Sequence, residues 1–174
     1  MHYISFFTAT ILEWKHLLKA DSYKDIIISS MRYLVNDNRL KVYGFVIMPN
    51  HIHTLWKIHN DIKKDDLQRD FLKYTAQQMK FELLKDDPEK LKIFYVGAKD
   101  RKYQFWERNP LTSRLPSMEL IMQKLNYIHE NPIRGKWSLC KDITDYKYST
   151  AGYYYKDDKT WDFVTHLNEA SLED

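Results

Sequence analysis

The stretch Val46–Lys57 reads VIMPNHIHTLWK, and how it folds decides the architecture around it. The β-rich run KVYGFVIM (Lys41–Met48) precedes Pro49, and a second run, His51 to Ile58, follows Asn50. Proline presets φ for a turn and asparagine tolerates the left-handed conformation, so Pro49–Asn50 predicts a β-hairpin. Successive strand side chains point to opposite faces, so His51 and His53 project together, roughly 6.5 to 7 Å apart at Cα, while Ile52 points into the core. Two imidazoles so placed can converge on one ion. Imidazole suits zinc, manganese, iron and nickel, and a two-histidine site needs further ligands. The bare His-x-His pattern is equally that of two ordinary residues on a strand face.

Further elements follow on either side. Residues 3–12 alternate as a first strand. Ser22 to about Asn38 sets Ile26, Ile27, Met31, Leu34 and Val35 on one helical stripe, with Asp21 or Ser22 as cap. Asp65 to about Leu84 predicts a long amphipathic helix through Leu67, Phe71, Tyr74, Met79 and Leu83. Asp86–Asp100 is charged and reads as irregular, and Tyr103–Glu107 (YQFWE) reads as a short strand. Ser117 caps a last helix that ends before Pro132, which cannot continue it. The order β-α-β-β-α-β-α implies an α+β fold: an antiparallel sheet with helices packed on it, similar to ferredoxin-like (RRM-like) folds. Residues 1–174 read as one domain, with about 140–174 an irregular tail, containing a short helical turn, packed on it.

Composition sets bounds. The chain has 174 residues, 44% hydrophobic and 29% charged, with no apolar run near the ~20 residues that span a bilayer. The N-terminal MHYISFFTATILEWKH lacks a positive leader and a small-residue cleavage site. The one cysteine, Cys140, excludes an internal disulfide and a cysteine-rich zinc site, reads as a structural thiol, and fits a reducing cytoplasmic location. Net charge is +3, which permits an anionic partner without demanding one. The 13 Tyr and 5 Trp, interleaved with Lys and Arg, suit unpaired nucleobases as well as an aromatic core.

Candidate partners for the histidines lie in KLNYIHENP. Tyr127 and Asn131 are four apart on one helical face, with Lys124 three residues before the tyrosine. A phenol is a poor nucleophile while protonated, and a divalent cation can help by polarising the electrophile. The bland alternative is that Tyr127 packs between helix and sheet and Asn131 caps the helix end.

VIMPNHIHTLWKI together with KLNYIHENPIRGKW and DYKYSTAGYYY resembles the single-tyrosine HUH transposases, nearest the insertion-sequence-200-like family and its REP-associated tyrosine transposase branch. The FLKYTAQQM and FWERN segments also lie where that family has comparable ones, so the resemblance covers nearly the whole chain. It implies an HUH fold in which His51 and His53 bind a divalent metal (Mg2+ or Mn2+) and Tyr127 is the nucleophile. Asn131 falls where relatives place a further amide-bearing metal ligand, often Gln, and is one methylene shorter. Glu130 is a competing oxygen ligand, less well aligned, and His129 is expected to be structural or solvent-facing. The implied activity cleaves single-stranded DNA at hairpin-associated sites, leaving a 5′-phosphotyrosine link and a free 3′-hydroxyl that can rejoin DNA without ATP. Relatives act either as a homodimer exchanging the tyrosine helix or as a monomer.

Expected DNA contacts are Lys124, Arg101, Lys102, Arg108, Arg114, Arg134, Lys136 and Lys147, with Tyr146, Tyr148 and Ser149 adding stacking and phosphate contacts. Asp65, Asp66, Asp86 and Asp87 are expected on the opposite, solvent-facing side. Two rival readings stand: a nucleic-acid-binding module on the same fold without chemistry, and a non-nucleic metal hydrolase. The second wants a carboxylate near the histidines, and their strand has none.

Overall fold

In the computed structural model, which describes residues 3–59 and 61–170, the Pro49–Asn50 turn closes with Met48 N–H donating to the His51 carbonyl at 2.8 Å. In chain order the elements are β1 (Ser5–Thr10), α1 (Asp21–Asn36), β2 (Leu40–Ile47), β3 (His51–Ile58), α2 (Lys64–Asp86), α3 (Pro88–Leu91), β4 (Tyr95–Ala98), β5 (Arg101–Tyr103), β6 (Leu111–Arg114), α4 (Met118–Glu130) and α5 (Ala151–Lys156). The main sheet is antiparallel in the order β2-β3-β1-β6. Its register sets Thr8 opposite His53 and Thr10 opposite His51.

Alternation sorts the core onto two faces. Phe7, Ala9, Ile11, Val42, Phe45, Ile47, Ile52 and Trp56 pack against α1 and α2. Ile4, Phe6, Tyr43, Val46, Met48 and Leu55 pack against Ile121, Leu125 and Ile128 of α4. The predicted stripes are largely the buried ones: Ile27, Met31 and Leu34 on α1, and Leu67, Phe71, Met79 and Leu83 on α2. Tyr74 falls off the α2 stripe and is 50% exposed. No side chain caps α1, which starts at Asp21 after Ala20. Ser117 does cap α4, its Oγ accepting from Leu120 N–H at 3.3 Å.

The region before α4 corrects the expectation from sequence. Tyr103–Glu107 is not the sheet's fourth strand. Tyr103 belongs to β5, which pairs with β4 in a separate two-stranded ribbon, and Trp106 makes a single bridge to Ile11. The fourth strand is β6, LTSR, whose polar and partly exposed residues give little strand signal; its pairing with β1 defines it. Asp86–Asp100 is likewise not irregular. It holds α3, capped by Asp87 accepting from Lys90 N–H at 3.0 Å and started by Pro88, and then β4.

The tail after α4 covers the outer edge of β2. Ile47 N–H donates to the Tyr148 carbonyl, Thr150 N–H to the Phe45 carbonyl, and Thr165 N–H to the Val42 carbonyl. These bonds satisfy an edge that would otherwise invite pairing with another chain. Cys140 is half-buried, and burial raises its thiol pKa, which favours the unreactive thiol.

Gly44 sits at a bulge in β2 where α4 approaches, and a Cβ there would lie 2.6 Å from Leu125 Cδ1. Gly44→Ala is expected to lower stability by about 1–3 kcal/mol, the usual cost of overpacking. Urea unfolding measures it, and an unchanged midpoint would show that Leu125 yields freely.

Candidate functional site

His51 and His53 lie on the α4 face of β3 and are buried, with 7% and 6% exposure. Their ring centroids are 4.7 Å apart. Each is oriented by a neighbour that sequence reading did not assign to the site. Asn50 Nδ2 donates to the Trp14 carbonyl at 3.2 Å, which turns its Oδ1 toward His51 Nδ1 at 2.7 Å. Nδ1 therefore carries the His51 proton, and Nε2 is left with a lone pair. That lone pair faces Asn131 Oδ1 at 3.3 Å. In this tautomer Nε2 and Asn131 Oδ1 are both electron-pair donors, an arrangement that a cation can bridge. His53 Nδ1 is held 2.7 Å from Thr8 Oγ1, and its ring stacks on Phe6 at 5.1 Å.

Burial pushes the His51 pKa down to about 4, against an opposing effect of the Asn131 contact. Burial, then His51 and Lys124, pushes that of His53 to about 3. Both are neutral at physiological pH, the state in which imidazole ligates metals. Among the described residues no group of three or more His, Cys, Asp and Glu is gathered to hold a metal. A cation here would rest on two imidazoles and one amide oxygen, and solvent or substrate oxygens would complete its shell. Of these donors the imidazoles suit first-row transition ions, and the amide oxygen with solvent oxygens suits magnesium or manganese.

Tyr127 comes from α4 to the same place, its ring centroid 5.2 Å from that of His53 and 6.0 Å from that of Phe6. Two cations lie over the phenol ring: Lys124 Nζ at 5.6 Å and the Arg134 guanidinium at 5.3 Å. His51, His53, Tyr127, Asn131 and Arg134 line one cleft of about 380 Å³, together with Thr8, Thr10 and the indoles of Trp14 and Trp137. Glu130, the competing ligand, does not line it; its carboxylate accepts from Arg134 Nε at 3.0 Å. His129 is fully buried and hydrogen-bonded to Thr150 Oγ1 at 3.0 Å, which makes it a structural residue.

The expected DNA-contacting residues separate in space. Lys124, Arg134 and Lys136 gather at the cleft. Arg101 and Arg108 line a larger groove of about 940 Å³ beside α2, where Arg101 is bonded to Gln104 at 3.0 Å and paired with Asp100. Lys102 is exposed on β5. The Arg114 guanidinium lies 4.7 Å from the Tyr3 ring, and Lys147 lies near Asp21 at 3.7 Å. Tyr146, Tyr148 and Ser149 turn inward: Tyr146 donates to the Ile47 carbonyl, Tyr148 to Asp25, and Ser149 is buried. Asp65, Asp86 and Asp87 are exposed and Asp66 is half-exposed, on or just after α2, which packs on the sheet face opposite α4.

Fold and cleft together define a class: an antiparallel α+β sheet whose central strand carries two buried histidines beneath a helix that brings a tyrosine to them. Among solved structures, the chain is similar to the REP-associated tyrosine transposase bound to a REP hairpin, with a TM-score of 0.61 and 16% identity over 99% of this chain and 88% of that one. A putative transposase from Deinococcus radiodurans R1 is also similar, with a TM-score of 0.46 and 18% identity over 75% of this chain and 89% of that one. No known protein family and no curated protein matches the sequence.

Asn50 was legible only as a turn residue, and Thr8 becomes a histidine partner only once the β1–β3 register is known. Trp14 and Trp137 carried no positional signal beyond their residue type.

His129 is also held well below the ordinary histidine range, at about 4, by burial. Between pH 6.5 and about 4 the unfolded chain therefore binds protons at His51, His53 and His129 that the folded chain refuses. Stability is fully present above pH 6.5 and is lost as pH falls through this window, by at most about 1.4 kcal/mol per pH unit for each histidine. Urea midpoints at pH 7 and pH 5 test this; a midpoint that does not fall at pH 5 contradicts it.

Proposed function

We propose that this protein is a transposase-type enzyme that cleaves and rejoins single-stranded DNA at hairpin-associated sites, with Tyr127 as nucleophile. The observation that carries the reading is the meeting of Tyr127 with His51, His53 and Asn131 in one cleft of one chain. The similarity of the fold to a transposase bound to a REP hairpin supports hairpin DNA as the substrate class. Because α4 brings Tyr127 to the histidines of its own chain, the reading has the tyrosine acting in cis, with no homodimer required.

In this mechanism His51, His53 and Asn131 would hold a divalent metal, and Asn50 and Thr8 fix the imidazole orientations. When bound, the metal supplies Lewis-acid polarisation of the phosphate. Lys124 and Arg134, which flank the phenol, offset phosphate charge beside the nucleophile. The Tyr127 oxygen attacks phosphorus and its proton passes to solvent; the bond to the 3′-oxygen breaks, and that oxygen takes up a proton. The phosphodiester energy is kept in the 5′-phosphotyrosine link, so a 3′-hydroxyl can attack it and rejoin DNA. A binding module without chemistry needs neither the tyrosine beside the histidines nor donors facing each other across His51 and Asn131.

Incubation with single-stranded hairpin oligonucleotides from the gene's own flanks and Mn2+ is expected to give a covalent adduct on a denaturing gel. Tyr127→Phe abolishes it, and His51→Ala or His53→Ala lowers the rate by about a hundredfold or more. An adduct formed by Tyr127→Phe removes the assigned nucleophile, and no adduct with any flank favours the binding module. Asn50→Ala leaves all first ligands in place, yet is expected to weaken Mn2+ binding about 10–100-fold by calorimetry.

A further inference from the structure

Two indoles stand at the mouth of the cleft without a role in the chemistry above. Trp14 is 61% exposed, so its ring is open to a ligand in the cleft. It is presented by consecutive residues in left-handed backbone, Glu13 (φ 54°) and Trp14 (φ 57°), neither of them glycine. That conformation is unfavourable for residues with a Cβ and persists only where the surroundings impose it. Here they do: Glu13 N–H donates to Glu107 Oε1 at 2.6 Å, Trp14 N–H to the Ile11 carbonyl at 2.9 Å, and Asn50 Nδ2 to the Trp14 carbonyl at 3.2 Å. Asn50 is also the residue that orients His51, so the strained turn and the metal-ligand candidate are fixed by one side chain.

Trp137, in the loop after α4, lines the same cleft. Its ring lies 6.1 Å from that of His51, and the Trp14 ring lies 6.2 Å from the same histidine. Its own flank is basic, with Lys136 Nζ 5.5 Å from the indole and Arg134 lining the same cleft. Aromatic faces next to phosphate-binding cations are the two components of single-strand recognition.

We infer that Trp14 and Trp137 form a clamp that stacks an unpaired nucleobase beside the scissile phosphate. The inference rests on the reading of the cleft as a single-stranded DNA site and adds the subsite that holds the base. Arg134 and Lys136 take the adjoining phosphates, and the rigid Glu13–Trp14 turn sets how far the base sits from Tyr127.

The test separates the clamp from the chemistry by using Tyr127→Phe protein, which binds without reacting. Fluorescence anisotropy compares a labelled oligothymidylate with an abasic strand of the same length. The base-bearing strand is expected to bind about tenfold or more tightly, the usual worth of one stacked base. Trp14→Ala and Trp137→Ala each reduce that preference toward one without changing affinity for the abasic strand, and Trp14→Phe restores it. If Trp14→Ala weakens both strands equally, or leaves the preference intact, the indole serves the fold or another partner and the clamp is wrong. Absence of binding by either strand also overturns it. A covalent adduct from wild-type protein with an unchanged base preference sinks the clamp alone. A base preference that depends on both tryptophans, with no adduct from any substrate, sinks the enzymatic reading alone.

Discussion

Strand β3 lies between β2 and β1, so both of its faces are covered and every side chain from His51 to Trp56 is buried. On the α1/α2 face Ile52 and Trp56 pack into the core, and the indole Nε1 of Trp56 and the hydroxyl of buried Thr54 have no hydrogen-bond partner among the described residues. On the α4 face the occupants include His51 and His53, which ask for hydrogen bonds. A buried polar group left unpaired costs about 1–3 kcal/mol, and a buried charge considerably more. The fold meets this by keeping both imidazoles neutral and giving each Nδ1 a partner, Asn50 or Thr8. What remains on His51 is one lone pair, pointed into the cleft. The two histidines are thus satisfied on one side of each ring, while Thr54 and Trp56 of the same strand are not, and the orienting bonds at the histidines are what arrange a ligand set.

Asn50 concentrates several of these constraints in one residue. Its backbone closes the hairpin and accepts from Ile11 N–H at 2.8 Å, while its side chain joins the Trp14 carbonyl to His51 Nδ1. The tight turn, the strained Glu13–Trp14 segment and the tautomer of His51 are therefore coupled. An aspartate at this position would keep the acceptor for His51 and lose the donor to Trp14. A serine would reach neither at these distances.

Periodicity made much of this legible. The hairpin, α1, α2, α4 and the shared face of the two histidines all follow from local pattern, because turn chemistry and alternation are properties of adjacent residues. The errors fall where pairing is decided at long range. LTSR carries no strand signal of its own and becomes β6 because β1 has a free edge beside it, whereas YQFWE has the composition of a strand and is diverted into β5 and a single bridge. The candidate site divides the same way. His51, His53, Tyr127 and Asn131 stood out by type and spacing, but Thr8, Trp14 and Trp137 belong to the cleft through tertiary contacts that no spacing encodes. The inward turn of Tyr146 and Tyr148 was hidden for the same reason: their partners, Ile47 and Asp25, are distant in sequence.

The position of Asn131 follows from where α4 stops. Pro132 ends the regular helix, and Asn131–Ile133 form a tighter 3₁₀ turn that carries Asn131 into the buried layer beside His51. The carboxylate one residue earlier is withdrawn by Arg134, which leaves the cleft with two neutral imidazoles and a neutral amide as donors. A cation held by neutral donors keeps its full charge, whereas one held by carboxylates is partly neutralised before substrate arrives. Phosphodiester DNA brings its own negative charge to the cleft. Were a divalent cation held by these neutral donors, a phosphodiester would be the group left to balance its charge.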